Sequence, residues 1–359
     1  MSPDSPRDLL SLPPLLAAQR ERAHGVLPPE VVSYVDAGSW TGTSRAESES
    51  AWHGRRFRPR VLTDVSSVDT SLTLLAQELR GPLLVGPTAF HGLMHPDAEL
   101  ASARAAARCG LLMTVSTRSS ASLEDVGKAA GGPWWFQVYA TQEPEVHQGL
   151  ALRAAAAGAT ALVLTGDTPV VARKPLLRST RVADTDEHLT RNTNQHVPPG
   201  TDQLSAVEQS PSATPALIGD LTGLTGLPVL VKGVLRGDDA VRCLDAGAAG
   251  IVVSNHGGRQ LDRAMTTADA LPEVVAAVGG RAPVLVDGGI RSGLDALTAL
   301  ALGADALLIG RPVLWALAAD GQAGVTELLT WLLEDLRHAM TLAGAPTLQQ
   351  VTRDLVAGN

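Results

Sequence analysis

The sequence predicts a (β/α)8 barrel, a TIM-barrel fold, and three observations predict it. Eight short apolar runs recur between Pro82 and Arg311, most of them are separated by Ala-rich segments with helical periodicity, and polar residues gather where the runs end. A doubly wound open sheet would need a G-x-G-x-x-G turn after its first strand, and Gly86-Pro87-Thr88 does not supply one.

Residues 1–80 read as an N-terminal helical and lid segment. Pro13, Pro14, Pro28 and Pro29 punctuate it, and Leu27 to Val35 reads as a helix opened by prolines and ended by Gly38, with Tyr34 near its C-terminus. Arg55-Arg56-Phe57-Arg58-Pro59-Arg60 reads as an exposed basic turn. Residues 81–359 are then the barrel. Its strands are expected at Leu83 to Val85, Leu111 to Val115, Trp134 to Val138, Ala161 to Leu164, Val229 to Val231, Gly250 to Val253, Val284 to Val286 and Ala306 to Ile309. Helices are expected at Ala98 to Cys109, Leu150 to Ala157, Asp238 to Ala246 and Leu294 to Leu302, each followed by Gly just before the next strand. One interval breaks the rhythm. From Asp167 to Pro228 the chain is long and polar, which predicts a mobile loop after strand four with poor order between about Asp184 and Pro211.

At 359 residues the chain could form two average domains or one large barrel. A hydrophobic content of 45% with a net charge of −8 describes a soluble globular protein and argues against general affinity for nucleic acid or anionic membranes. Cys109 and Cys243 lie in helical contexts and suit a reducing compartment; neither a disulfide framework nor a metal site is expected. The N-terminus lacks a basic segment followed by a long apolar run, so the expected location is cytoplasmic.

In a parallel barrel the C-terminal strand ends carry the chemistry. The sixth strand, Gly250 to Val253, empties into Ser254-Asn255-His256-Gly257-Gly258-Arg259, offering an imidazole and a guanidinium three residues apart; the plain alternative is a polar surface loop. The other ends present Pro87-Thr88-Ala89, Ser116-Thr117-Arg118, Gln137 with Tyr139, Thr165 with Asp167, Lys232, Asp287-Gly288-Gly289-Ile290-Arg291, and Gly310-Arg311. The last two place small residues and arginines after strands seven and eight, where barrels often hold a phosphate on backbone N–H groups. This implies a phosphorylated ligand, a sugar phosphate or a nucleotide cofactor.

Taken together, Pro87-Thr88-Ala89, Phe136-Gln137-Val138-Tyr139, Thr165-Gly166-Asp167-Thr168-Pro169, Leu230-Val231-Lys232-Gly233-Val234, Ser254 to Asp262, Val286 to Arg291 and Ile309-Gly310-Arg311-Pro312 resemble the FMN-dependent 2-hydroxy-acid oxidase and dehydrogenase family, which includes glycolate, lactate and mandelate oxidases. The resemblance runs from about Tyr34 to the C-terminal helices. It implies FMN as cofactor and oxidation of an (S)-2-hydroxy acid, mandelate-like or lactate-like, to a 2-oxo acid, with electrons passed to oxygen or another acceptor. His256 matches the general base, a role suited to imidazole. Asp167 matches the carboxylate that orients it, and Arg259 the guanidinium that grips the substrate carboxylate bidentately. Tyr34 and Tyr139, the only tyrosines, match two phenols that contact substrate. Lys232 matches the cation beside the flavin ring. Pro87, Thr88, Ala89, Ser116, Gln137, Thr165 and Ser254 match positions around the ring and ribityl chain. Asp287, Gly288, Gly289, Arg291, Gly310 and Arg311 match the ribityl and phosphate end. A homotetramer is also implied.

The chain departs from the family pattern at two substrate positions. Arg118 stands where many members have an aromatic residue, and Lys174, beside Arg173, stands where the family usually has a second substrate-contacting arginine. Lys keeps the charge but loses the fork. Arg118 is expected to face solvent; the alternative is that it recognises an anionic or polar group on a larger substrate. No haem-binding domain is expected before the barrel, so electrons leaving the flavin are expected to go to oxygen or a separate acceptor. Ala89 stands where monooxygenase members tend to have glycine, which favours an oxidase or dehydrogenase. The other readings are an isomerase-like FMN barrel and a flavin-binding barrel without turnover. Chemistry of the inosine-monophosphate-dehydrogenase kind would need a loop cysteine, and neither cysteine lies at a strand end.

Overall fold

A computed structural model describes residues 12–174 and 191–357. Three helices lead the chain, α1 (Pro14–Val26), α2 (Pro29–Asp36) and α3 (Thr43–His53), followed by a short antiparallel hairpin of β1 (Leu72–Leu74) and β2 (Gln77–Leu79). The barrel strands are β3 (Leu83–Val85), β4 (Leu112–Ser116), β5 (Trp135–Tyr139), β6 (Ala161–Thr165), β7 (Val229–Val234), β8 (Gly250–Val253), β9 (Val284–Asp287) and β10 (Ala306–Ile309). All eight pair in parallel, and β10 closes on β3. The expected runs thus become strands in sequence order, three with the expected bounds and five with edges shifted by one to three residues.

Side-chain alternation along the strands divides the core in two. Leu84, Leu112, Trp135, Val163, Leu230, Val252, Leu285 and Leu308 point into the barrel and pack together. Their neighbours, such as Val85, Met113, Phe136, Leu162, Val231, Ile251, Val286 and Ile309, join the larger cluster beneath the helices. Leu74 and Leu79 of the hairpin belong to the interior cluster, so β1 and β2 plug the barrel's N-terminal end. The sequence gives little warning of this hairpin, because its turn puts Leu75 and Ala76 at positive φ without a glycine.

The helical layer comprises α4 (Ala98–Arg108), α5 (Leu123–Ala130), α6 (Pro144–Ala156), α7 (Gln203–Ala206), α8 (Ala216–Thr225), α9 (Gly237–Asp245), α10 (Thr267–Val278), α11 (Gly293–Ala301) and α12 (Arg311–Ala343). Ser122 and Thr266 cap α5 and α10 by accepting from Asp125 and Asp269 N–H groups. Ser292 and Asp295 form a reciprocal capping box on α11. The long α12 is kinked at Asp320 and Gly321, and Gln19 of α1 donates to the Gly324 carbonyl just beyond, at 3.2 Å. No helix among the described residues is long and apolar enough to cross a membrane.

The connection after β6 was expected to be poorly ordered between about Asp184 and Pro211; residues 184–190 lie outside the described residues, and the stretch 191–211, mostly exposed, is anchored to the barrel at a few buried positions. Asn192 is buried and donates from Nδ2 to the Ser119 and Ala121 carbonyls, and Arg153 of α6 donates to the Asn192 carbonyl. Ala206 and Val207 are buried, and Thr141 bridges to Gln209. A polar composition hid these contacts, because the polar side chains satisfy loop carbonyls rather than water.

Candidate active site

A cavity of about 620 Å³ opens at the C-terminal end of the barrel. Beneath it runs a row of polar side chains, one from each successive strand end. Ser116 donates to Gln137 Oε1 at 3.2 Å, and Gln137 Nε2 donates to Thr165 Oγ1 at 2.9 Å. Lys232 Nζ donates to Ser254 Oγ at 2.8 Å and pairs with Asp287 Oδ2 at 2.9 Å. The row lies toward the C-terminal ends of the apolar strands, with Gln137 and Lys232 still within the pairing of β5 with β6 and β6 with β7, and its buried side chains satisfy one another. Burial alone would push the Lys232 ammonium down, but the Asp287 and Asp167 carboxylates outweigh it and hold the group above its ordinary range.

His256 sits just beyond β8 at φ +58°, a strained backbone for a residue with a Cβ. Its N–H donates to Ser254 Oγ at 3.0 Å, and its Nδ1 lies 3.0 Å from Asp167 Oδ1. The remaining nitrogen, Nε2, is left for the cavity that His256 lines. Burial raises the Asp167 carboxyl, yet His256 and Lys232 more than compensate and keep it below the ordinary carboxylate range. Two residues without an assigned role complete this arrangement. Thr168 donates to Asp167 Oδ1 at 3.1 Å, and Gln260 Nε2 donates to the Asp167 and Val170 carbonyls. Both lie within the quoted motifs, so their proximity to Asp167 and Arg259 was the available signal.

Arg259 and Arg311 reach across to the N-terminal segment. Arg259 Nη1 donates to the carbonyls of Tyr34 and Ala37 at 2.8 and 2.9 Å, and its guanidinium lies 4.9 Å from the Tyr34 ring centroid. Arg311 donates to the Val35 and Ala37 carbonyls at 3.0 and 3.1 Å. These bonds satisfy carbonyls at the C-terminus of α2 and fix Tyr34 over the barrel mouth. Among the described residues nothing bonds the Nε–Nη2 edge of Arg259.

The other expected positions lie around the same space. Tyr34, Tyr139, Arg118, Lys174, His256 and Arg259 line the cavity, as do Pro87, Thr88, Ala89, Ser116, Lys232, Asp287, Gly288, Gly289, Arg291, Gly310 and Arg311. Gln137, Thr165 and Ser254 lie beneath it, and Asp167 stands behind His256. Arg118 corrects one expectation: it is half-buried and faces the cavity rather than solvent. Burial pushes the Tyr139 phenol up to about 12, which keeps it a hydrogen-bond donor. Thr88 Oγ1 lies 2.7 Å from Nε2 of the fully buried His91, a contact with no signature in the motifs.

The model of FMN-dependent dehydrogenases matches residues 23–358. The chain belongs to that family. It is an FMN-dependent oxidoreductase, and its relatives within the family are 2-hydroxy-acid oxidases. An L-lactate oxidase from Nostoc sp. is 43% identical over 333 residues, spanning 89% of this chain and 91% of the relative. A 4-hydroxymandelate oxidase from Amycolatopsis orientalis is 42% identical over 348 residues, spanning 94% and 96%. The crystal structure of a mandelate oxidase with (S)-2-phenylpropionate, 41% identical, superposes with a TM-score of 0.82 over 95% of this chain and 97% of that one.

Proposed function

We propose that the enzyme oxidises an (S)-2-hydroxy acid to a 2-oxo acid, with His256 as the base and electrons passing on to oxygen or another acceptor. The observation that carries this reading is the His256 Nδ1 to Asp167 Oδ1 contact of 3.0 Å, which fixes the imidazole and presents Nε2 to the cavity. Substrates drawn from the lactate-like and mandelate-like acids of the relatives fit the same machinery.

The cavity has the donors and acceptors that FMN requires. Asp287 Oδ1 and Arg291 Nε are buried without a hydrogen-bond partner among the described residues, which suits ribityl hydroxyls and a phosphate. Burial, together with Arg259, Arg45 and Arg291, pushes Arg311 well below the ordinary arginine range; a crowd of guanidiniums beside the N-terminus of α12 calls for an anion. Pro87, Thr88 and Ala89 would line the ring, with Ser116, Gln137, Thr165 and Ser254 along its polar edge. Gly288, Gly289 and Gly310 line the same end of the cavity and would lie against the ribityl phosphate. When bound, FMN supplies the two-electron acceptor.

The chain's own residues do the rest. Tyr34 and the free Nε–Nη2 edge of Arg259 would bind the substrate carboxylate. The Tyr139 phenol, protonated throughout the working range, would donate to the substrate hydroxyl. His256 Nε2 accepts a proton as the α C–H and O–H bonds give way to a carbonyl, and the Asp167 carboxylate stabilises the imidazolium so formed. Lys232 would stabilise the negative charge that the ring gains.

Anaerobic visible spectroscopy of the purified protein tests this directly. An oxidised-flavin band bleached by lactate, glycolate or (S)-mandelate is expected; a band that no 2-hydroxy acid bleaches would overturn the assignment. Assembly as a homotetramer and a cytoplasmic location are also proposed, and sedimentation and cell fractionation test them.

A further inference from the structure

The outer half of the cavity carries more positive charge than one carboxylate can answer. Arg118, Lys174 and Arg259 all line it, from the ends of β4, β6 and β8. The only bond that Lys174 Nζ makes to a described residue is with the Ala172 carbonyl, at 3.3 Å, and no described carboxylate pairs with the Arg118 guanidinium. The deeper carboxylates are already engaged, Asp167 by His256 and Asp287 by Lys232. Among the described residues the one further carboxylate lining the cavity is the exposed Glu208, against Arg118, Arg173, Lys174 and Arg259 in the same lining.

Arg118 is not a loose surface residue. Its N–H donates to Ser116 Oγ at 3.2 Å, and its carbonyl accepts from Phe90 at 3.0 Å. The turn that follows is clamped by the fully buried Glu99, which accepts from the Ser120 and Ala121 N–H groups, both at 3.0 Å, and by Asn192 on the Ser119 carbonyl. A backbone braced this firmly holds its guanidinium toward the cavity. Lys174 feels the consequence: burial, then Arg259, then Arg118 press its ammonium down to about 8. Cations crowded together at partial burial are costly unless an anion joins them.

We propose that the substrate side chain itself ends in a carboxylate, so that the enzyme acts on a 2-hydroxy dicarboxylic acid whose distal carboxylate lies between Arg118 and Lys174. The inference rests on the oxidation proposed above, with the 1-carboxylate at Arg259 and Tyr34. The redox change is the same: the α C–H and O–H bonds break, a carbonyl forms, two electrons pass to FMN and then to oxygen or another acceptor, and the distal carboxylate is unaltered. Arg118 supplies the fork that Lys174 lacks.

The test compares, on the FMN-loaded enzyme, (S)-malate and (S)-2-hydroxyglutarate with the length-matched monoacids (S)-2-hydroxybutyrate and (S)-2-hydroxypentanoate. The diacids are expected to lead in kcat/KM by about tenfold or more. A parallel titration of the oxidised flavin spectrum with 2-oxoglutarate and 2-oxopentanoate reads binding without turnover, and the diacid is expected to bind more tightly. In Arg118→Leu the diacid preference should fall about 10- to 100-fold, and Arg118→Lys should restore part of it. Monoacids that outperform diacids in both measurements, or a preference unmoved by Arg118→Leu, would overturn the inference while leaving 2-hydroxy-acid oxidation standing. Failure of every acid to bleach the flavin would overturn both. Should Arg118→Leu fail to load FMN, the wild-type titration decides.

Discussion

Gly233 lies so close to Asp167 that a Cβ added to it would fall 2.5 Å from the Asp167 Cβ and 2.6 Å from its Cγ. The glycine has φ +105°, and the pairing of β7 with β8 slips there, between Lys232 and Val234. Lys232, two residues after the interior Leu230, points into the barrel by alternation, and the glycine that follows leaves room for the carboxylate that holds His256.

Gly233→Ala should therefore displace Asp167 and loosen His256. Strain of about 1–3 kcal/mol at the positive φ adds to the overlap. A shift of the base by about 1 Å can cost on the order of 10² in rate. The expected outcome is a loss of kcat of that order with a smaller change in KM, checked by steady-state kinetics on FMN-loaded protein. An unchanged kcat would mean that Asp167 is not what places the base.

His256→Gln should remove proton transfer at Nε2 and lower kcat by about 10²–10⁴-fold. Flavin should be retained, because His256 lies on the substrate side of the cavity. Absorbance of the bound cofactor before and after anaerobic addition of substrate separates the two effects.

Lys232 and Asp287 form a buried pair 2.9 Å apart, and removing one partner leaves the other charge without compensation. Lys232→Met should cost about 3–5 kcal/mol of stability, read as a lower melting temperature of the apoprotein. Lys232→Met with Asp287→Asn should recover much of that loss while still failing to reduce flavin at a normal rate. A double variant as unstable as the single one would assign the loss to packing rather than to charge.

The barrel was legible because each strand is a short apolar run and each strand end is polar, so Val253 followed by Ser254 and His256 reveals both the strand and its active face. Three features were hidden for physical reasons. The clamp of Arg259 and Arg311 on the Tyr34, Val35 and Ala37 carbonyls joins residues more than 200 positions apart, and backbone acceptors have no sequence signature. The hairpin at Leu75 and Ala76 uses residues that rarely adopt positive φ. The attachment of Asn192 to the Ser119 and Ala121 carbonyls, which joins a polar run to the turn after β4, likewise uses backbone acceptors. The same cause explains Arg118, whose exposure depended on a turn braced by Glu99.

Lys174 gives the site a pH dependence of predictable sign. Burial, Arg259 and Arg118 lower its ammonium from 10.5 to about 8, so the charge is present below that pH and lost as pH rises through it. Arg118, Arg173, Arg259 and Glu208 line the same cavity as Lys174. Carboxylate binding should therefore weaken above about pH 8, with KM rising while kcat changes less. Lys174→Arg should abolish this alkaline rise, because a guanidinium stays protonated across the range. Lys174→Met should show a high KM at every pH. A KM that climbs equally in wild type and Lys174→Arg would assign the alkaline limb to another group and remove Lys174 from substrate binding.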